Sequence, residues 1–236
     1  MFAYRLGAPL LTQSITPGIA ACIEGNAGRG KTAQLAKGVV LEVAGSDVSG
    51  EGMGFGVPIV HYPDGWVFSR TVTTTDVSTP TETIWQSDFE LDEAGGNAIP
   101  GGGFDFKPVA SHGRIEVTYT ISTAGIAVNV KVIRLEPGYT EVAILNEESA
   151  AFNDLADHSK TLVGSAFGRW VPAAGDWARL RSGSLGVEWS VPAIKGAQLY
   201  GGREWAAPNF DWAGLDYVFS GPFYGTSYRI NVQEAR

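Results

Sequence analysis

The stretch RIEVTYTISTAGIAVNVKVIRL, residues 114–135, decides the fold. Ile115, Val117, Tyr119 and Ile121 alternate with Arg114, Glu116, Thr118 and Thr120. That period of two belongs to a strand with one buried face. Ser122-Thr123-Ala124-Gly125 is a short turn containing glycine, and strand patterning resumes beyond it, so the stretch is expected to form an antiparallel hairpin.

Similar runs fill the chain on both sides. They are 38–45, 66–75, 82–92, 139–149, 185–191, 198–205, 216–221 and 227–232, each rich in Val, Ile, Thr or aromatics and bounded by Gly, Pro, Asp or Asn. AGGNAIPGGG (94–103) is expected to be a long loop, and SAAFNDLAD (149–157) to form a turn or two of helix. No linker or fixed repeat divides the chain. The expectation is one all-β domain over residues 1–236, a large antiparallel β-sandwich with few short helices.

Composition agrees. The 236 residues are 44% hydrophobic and only 18% charged, with 31 Gly. The net charge of −8 comes without a basic patch, which argues against a nucleic-acid partner. No apolar run approaches the length of a membrane-spanning helix, and APLL is too short for a signal peptide core, so a soluble protein of unassigned compartment is expected. Cys22 is the single cysteine and reads as a core residue.

GNAGRGKT (25–32) matches the G-x-x-x-x-G-K-[ST] phosphate loop. Such a loop requires a buried parallel strand before it and a helix of several turns after it. IAACIE could serve as the strand, but TAQLAK gives under two turns before the next strand-like run. A solvent-exposed hairpin loop is the better reading, and no cofactor is expected.

The three histidines, His61, His112 and His158, lack metal-ligand spacing, and no metal is expected. The acidic stretch NEESAAFNDLADH (146–158), with Glu147, Glu148, Asp154 and Asp157, reads as a solvated loop rather than a calcium site. By period, Arg70 shares an apolar strand face with Trp66, Phe68 and Val72, so it is either paired or lines a cavity. Arg134 repeats the pattern. Five of the seven tryptophans fall after residue 165. Some must be core, whereas others in loops could stack on sugar rings. Glu188 beside Trp189 and Glu204 beside Trp205 place carboxylates next to such platforms.

The segment 114–154 resembles the galactose-mutarotase-like β super-sandwich of carbohydrate-active proteins: two long hairpin strands, then a strand ending in polar residues and Phe152-Asn153. Proteins of that pattern carry histidine near the third strand, where this chain has Leu145-Asn146-Glu147-Glu148. No catalytic residue carries over. The resemblance implies a saccharide-oriented all-β architecture.

The expected function is therefore carbohydrate binding or processing. Glu188, His61 and Tyr62 are the acid–base candidates. Arg70, Trp85, Arg114, Trp189 and Trp205 are the ligand-binding candidates. The expected partner is a small molecule or oligosaccharide, with a homo-oligomer allowed. The alternatives are a lipocalin-like barrel for an apolar ligand and a structural assembly module.

Overall fold

A computed structural model describes residues 10–23, 35–43, 46–47, 53–98, 104–149, 155–157, 160–161, 170–173, 177–182, 187–192, 194, 196–203 and 211–234. The 25–32 phosphate-loop match, Trp205, Glu204 and His158 lie outside these residues.

Nineteen strands are formed among the described residues. The first six are β1 Leu11–Thr16, β2 Ile19–Ile23, β3 Val39–Val43, β4 Ser46–Asp47, β5 Gly54–Tyr62 and β6 Gly65–Asp76. Next come β7 Thr83–Ala98, β8 Phe104–Pro108, β9 Gly113–Ser122, β10 Gly125–Leu135, β11 Glu141–Ser149 and β12 Leu155–Asp157. The last are β13 Lys160–Thr161, β14 Val171–Pro172, β15 Trp177–Ser182, β16 Val187–Pro192, β17 Ala197–Arg203, β18 Asp211–Ser220 and β19 Gly225–Glu234. No helix occurs among the described residues, so none there is long and apolar enough to cross a membrane.

The deciding stretch forms the expected hairpin. β9 and β10 pair from Gly125↔Ser122 to Leu135↔Gly113. Gly125 has φ 116°, and a Cβ there would run into the Ile230 carbonyl oxygen of β19. Only glycine satisfies both demands at this turn.

Among the described residues every pairing is antiparallel, and the strands form one continuous curled sheet. From β9 the sheet runs through β7 and β6 to β5, β11, β18 and β17. In the other direction it runs through β10 and β19 to β16, β15 and β12. The curl brings its two halves face to face. Phe55 of β5 meets Trp189 of β16 edge-on at 5.1 Å, and Tyr217 of β18 meets Tyr228 of β19 at 4.7 Å. The Tyr119 hydroxyl donates to the Phe55 carbonyl at 2.9 Å, and the Tyr217 hydroxyl to the Pro192 carbonyl at 2.8 Å. Each buried phenol thus finds an acceptor while its ring fills the core.

Three local expectations are corrected. β7 continues to Ala98, so the front half of AGGNAIPGGG is strand, with Gly95 opposite both Trp66 and Phe106. A Cβ on Gly95 would collide with the Phe68 ring, so glycine here serves close packing rather than a loop. The helix expected over 149–157 is absent where it is described, because Ser149 ends β11 and Leu155–Asp157 is β12. Glu147 belongs to no solvated loop; it lies in β11 and is buried. IAACI is a strand, but it pairs antiparallel with β1 and β3, which is not the setting of a phosphate loop.

Candidate functional site

The outer face of β15, β16 and β19 carries a shallow open depression of about 550 Å³. That volume lies within the usual range for small-molecule clefts, about 300–1,000 Å³. The sequence builds it by alternation. In β16, Val187, Trp189 and Val191 face the core, and in β19 Tyr228, Ile230 and Val232 do the same. The intervening Glu188, Ser190, Arg229, Asn231 and Gln233 therefore project to the opposite face.

Register then sets the pattern. Arg179 pairs with Ser190, and Ser190 with Asn231, which makes one row across three strands. Glu188 stands two residues from Ser190, opposite Gln233. Its side chain is 16% exposed, with Oε2 3.5 Å from Arg179 Nη1. Gln233 Nε2 donates to Glu188 Oε1 at 2.8 Å. The carboxylate is thus held in one orientation from two sides. Guanidinium, carboxylate, amide and hydroxyl groups meet in one concavity, a set suited to a ligand bearing many hydroxyls.

Of the residues singled out in the sequence that the structure describes, Glu188 alone lines this depression. Trp189, its neighbour, is 2% exposed and fills the core beneath. Trp85 is also 2% exposed. Neither presents a face on which a sugar could stack. Burial of the apolar side of their strands overrode the platform reading.

Arg114 is held by Asp88, with Nε 3.6 Å from Oδ1, on the outer face of β9. Arg70 sits at a bulge, because the β6–β7 register shifts on both sides of Ser69. Asp92 Oδ1 accepts the backbone N–H of Arg70 at 2.7 Å and that of Thr71 at 3.2 Å. The bulge breaks the period of two on which a shared face with Phe68 and Val72 depended.

His61 and Tyr62 sit in β5, apart from Glu188's partners. His61 Nδ1 lies 2.9 Å from Thr140 Oγ1, and its ring packs on Trp66 at 4.7 Å. Tyr62 is 5% exposed. Its hydroxyl is shared between the carbonyls of His112 and Glu136, at 3.3 and 3.2 Å. Burial, chiefly, and the Glu136 charge raise its pKa. A phenol so engaged is a structural donor.

A second polar cluster was not legible as such. Asp216 is fully buried, with Oδ1 accepting the Asn146 N–H at 3.0 Å and Oδ2 accepting Trp170 Nε1–H at 2.8 Å. Burial pushes Asp216 up to about 7 against these two donors. Glu147, 4% exposed, is also pushed well up, first by burial and then by the Asp216 charge. Asn146 ties the cluster to the core, accepting the Tyr228 hydroxyl at 2.6 Å and donating to the Leu215 carbonyl at 3.0 Å. On the outer side Trp170 packs against Trp66 at 5.1 Å. Among the described residues no group of three or more His, Cys, Asp or Glu is placed to hold a metal ion.

No family model matches the chain, and no curated protein does. Among solved structures it is similar to the alpha-N-acetylgalactosaminidase NagBb of Bifidobacterium bifidum in complex with GalNAc. The TM-score is 0.55 at 14% identity, over 96% of this chain and 36% of that enzyme. The ligand-free form of the enzyme gives 0.52, and its complex with Gal-NHAc-DNJ gives 0.54. At such identity the likeness is one of fold. The chain spans about a third of the enzyme's length.

Proposed function

We propose that this is a saccharide-binding β protein whose site is the depression on β15, β16 and β19. The observation that carries the reading is the row Arg179–Ser190–Asn231 with Glu188 fixed beside it. These groups offer donors and acceptors side by side at the strand spacing of about 4.8 Å, which suits a ligand bearing several hydroxyls. The fold likeness to a glycoside hydrolase supports the same ligand class. Binding stands ahead of processing, because the described lining holds one carboxylate and hydrolysis of a glycosidic bond ordinarily uses two.

Thermal denaturation with galactose, N-acetylgalactosamine and glucose tests the reading. A ligand at a hundred times its Kd adds about 2.7 kcal/mol. The reading expects stabilisation by at least one of these sugars in the wild type, reduced in Asn231→Ala. That variant loses an exposed amide and leaves the core intact. Equal stabilisation of both proteins, or none of either, would end the proposal.

A further inference from the structure

The second half of β6 is paired along one edge only. From Thr71 to Asp76 it runs in regular register with Glu90 to Trp85 of β7. On its other edge β5 reaches only Gly65, Trp66 and Val67, and the Ala36 N–H bonds the Ser69 carbonyl at 2.8 Å. Beyond Ser69 no strand lies on that edge among the described residues. The Val77 N–H donates to the Ile84 carbonyl at 2.9 Å, which fixes the alternation. Thr71, Thr73 and Thr75 therefore turn their backbone groups to β7, whereas Val72, Thr74 and Asp76 turn theirs away. The N–H and C=O groups of these three residues stand in a row with no backbone partner among the described residues.

Such an edge can receive another strand, and proteins blunt it with lysine, proline or a bulge. TVTTTD, residues 71–76, holds neither lysine nor proline, and its one charge is at the end. Both register shifts of β6 fall before it. Thr71, Thr73 and Thr75 are exposed on the outer face, so the edge is β-branched, uncharged over five residues and open.

We propose that this edge pairs with the same edge of a second copy of the chain, antiparallel about a two-fold axis at Thr74. Thr74 then faces Thr74 of the second copy, and Val72 faces its Asp76. Every outward N–H of the three residues finds a carbonyl. The side chains fit the same register. Thr73 lies opposite Thr75 of the second copy, a favourable cross-strand pair, and no like charges meet because each Asp76 faces a valine. Val77, an apolar side chain left 43% exposed, comes to lie against Thr71 of the second copy. The occupant is a second copy because two-fold antiparallel pairing makes this one edge complementary to itself. A contact one strand wide is at the low end of interface sizes, below about 1,200 Å², so the dimer forms and dissociates with concentration. The inference is independent of the saccharide reading.

Sedimentation over a concentration series, paired with amide hydrogen exchange, tests it. Moderate salt screens the net charge of −8 on each copy. The wild-type mass is expected to double as concentration rises, and the Val72, Thr74 and Asp76 amides to exchange more slowly as it does. Thr73→Lys with Thr75→Lys sets like charges opposite each other in both threonine pairs and is expected to lose the dimer. Thr73→Lys with Thr75→Glu sets opposite charges in the same pairs and is expected to keep it. Both side chains are exposed, so the variants keep the fold, which circular dichroism verifies. A wild type of one-copy mass at every concentration overturns the proposal. So does a dimer whose three amides are not slowed, or one undiminished in the double lysine variant. Loss of the dimer in both variants overturns the register and the proposal with it. Slow exchange of the three amides at one-copy mass makes a segment of the same chain the occupant, and also overturns it.

Discussion

Replacing Asp216 by asparagine isolates the cost of its buried charge. The ordinary carboxyl value of 3.8 is pushed up to about 7 in the fold, mainly by burial. Between those two values the unfolded chain is ionised at this position while the folded chain holds its proton. The folded state then binds more protons, so stability falls as pH rises. The contribution is fully present below the unfolded value and is lost once pH has passed the folded one. A shift of about three units corresponds to about 4 kcal/mol, of which about 3 kcal/mol falls between pH 5 and pH 8.

The asparagine side chain has no such dependence. It has one oxygen where the carboxylate has two, so either Trp170 Nε1–H or the Asn146 N–H loses its acceptor, at about 1–3 kcal/mol independent of pH. The stability difference between variant and wild type should therefore move by about 3 kcal/mol in the variant's favour from pH 5 to pH 8. Glu147 adds to the movement, because the Asp216 charge that helps to raise it is gone. Urea denaturation followed by tryptophan fluorescence reads the change. With a slope of about 1–3 kcal/mol per M, the relative midpoint moves by about 1 M or more. The same pH dependence in both proteins would refute the burial argument.

Trp170→Phe keeps the ring and removes the Nε1–H donor to Asp216, so it should cost about 1–3 kcal/mol above pH 7 and less at pH 5, where the carboxyl is protonated; denaturation at the two pH values checks it. Trp85→Ala empties a fully enclosed site and should lose about 3–5 kcal/mol by urea midpoint. Gly125→Ala forces a Cβ against the Ile230 carbonyl at a positive φ, and should cost more than about 2 kcal/mol. Arg114→Gln breaks only a half-exposed pair with Asp88 and should change stability by less than about 1 kcal/mol, with sugar binding unaffected.

The strands that alternate were readable from the chain, and β10 spans the residues expected of it, because each has one face in the core and one outside. β5 was not. Its residues are buried on both faces, so GFGVPIVHY shows no period, and Pro58 looks like a breaker. In the structure Pro58 faces Ile144 of β11, while on the other edge β3 and β6 pair only with Phe55 and with residues 60–62. A residue without an N–H is tolerated there.

The site was half legible for a related reason. Glu188 stood out by its place beside Trp189, although that tryptophan faces the opposite way. Arg179 and Asn231 come from strands 50 or so residues apart, and only the register of β15, β16 and β19 assembles them. Asp216 and Glu147 were hidden differently. Glu147 read as solvated within an acidic stretch, nothing set Asp216 apart in its strand run, and both are buried on the paired strands β11 and β18.

The most direct test of the account is a nitrogen-15 NMR titration of the side-chain amide groups with galactose, N-acetylgalactosamine and glucose. The account predicts saturable movement of the Asn231 and Gln233 amides with at least one of these sugars. The Gln86 amide, bonded to Glu116 away from the depression, serves as the reference and should stay still. Stationary Asn231 and Gln233 signals at saturating sugar, or movement confined to groups elsewhere on the sheet, would contradict it.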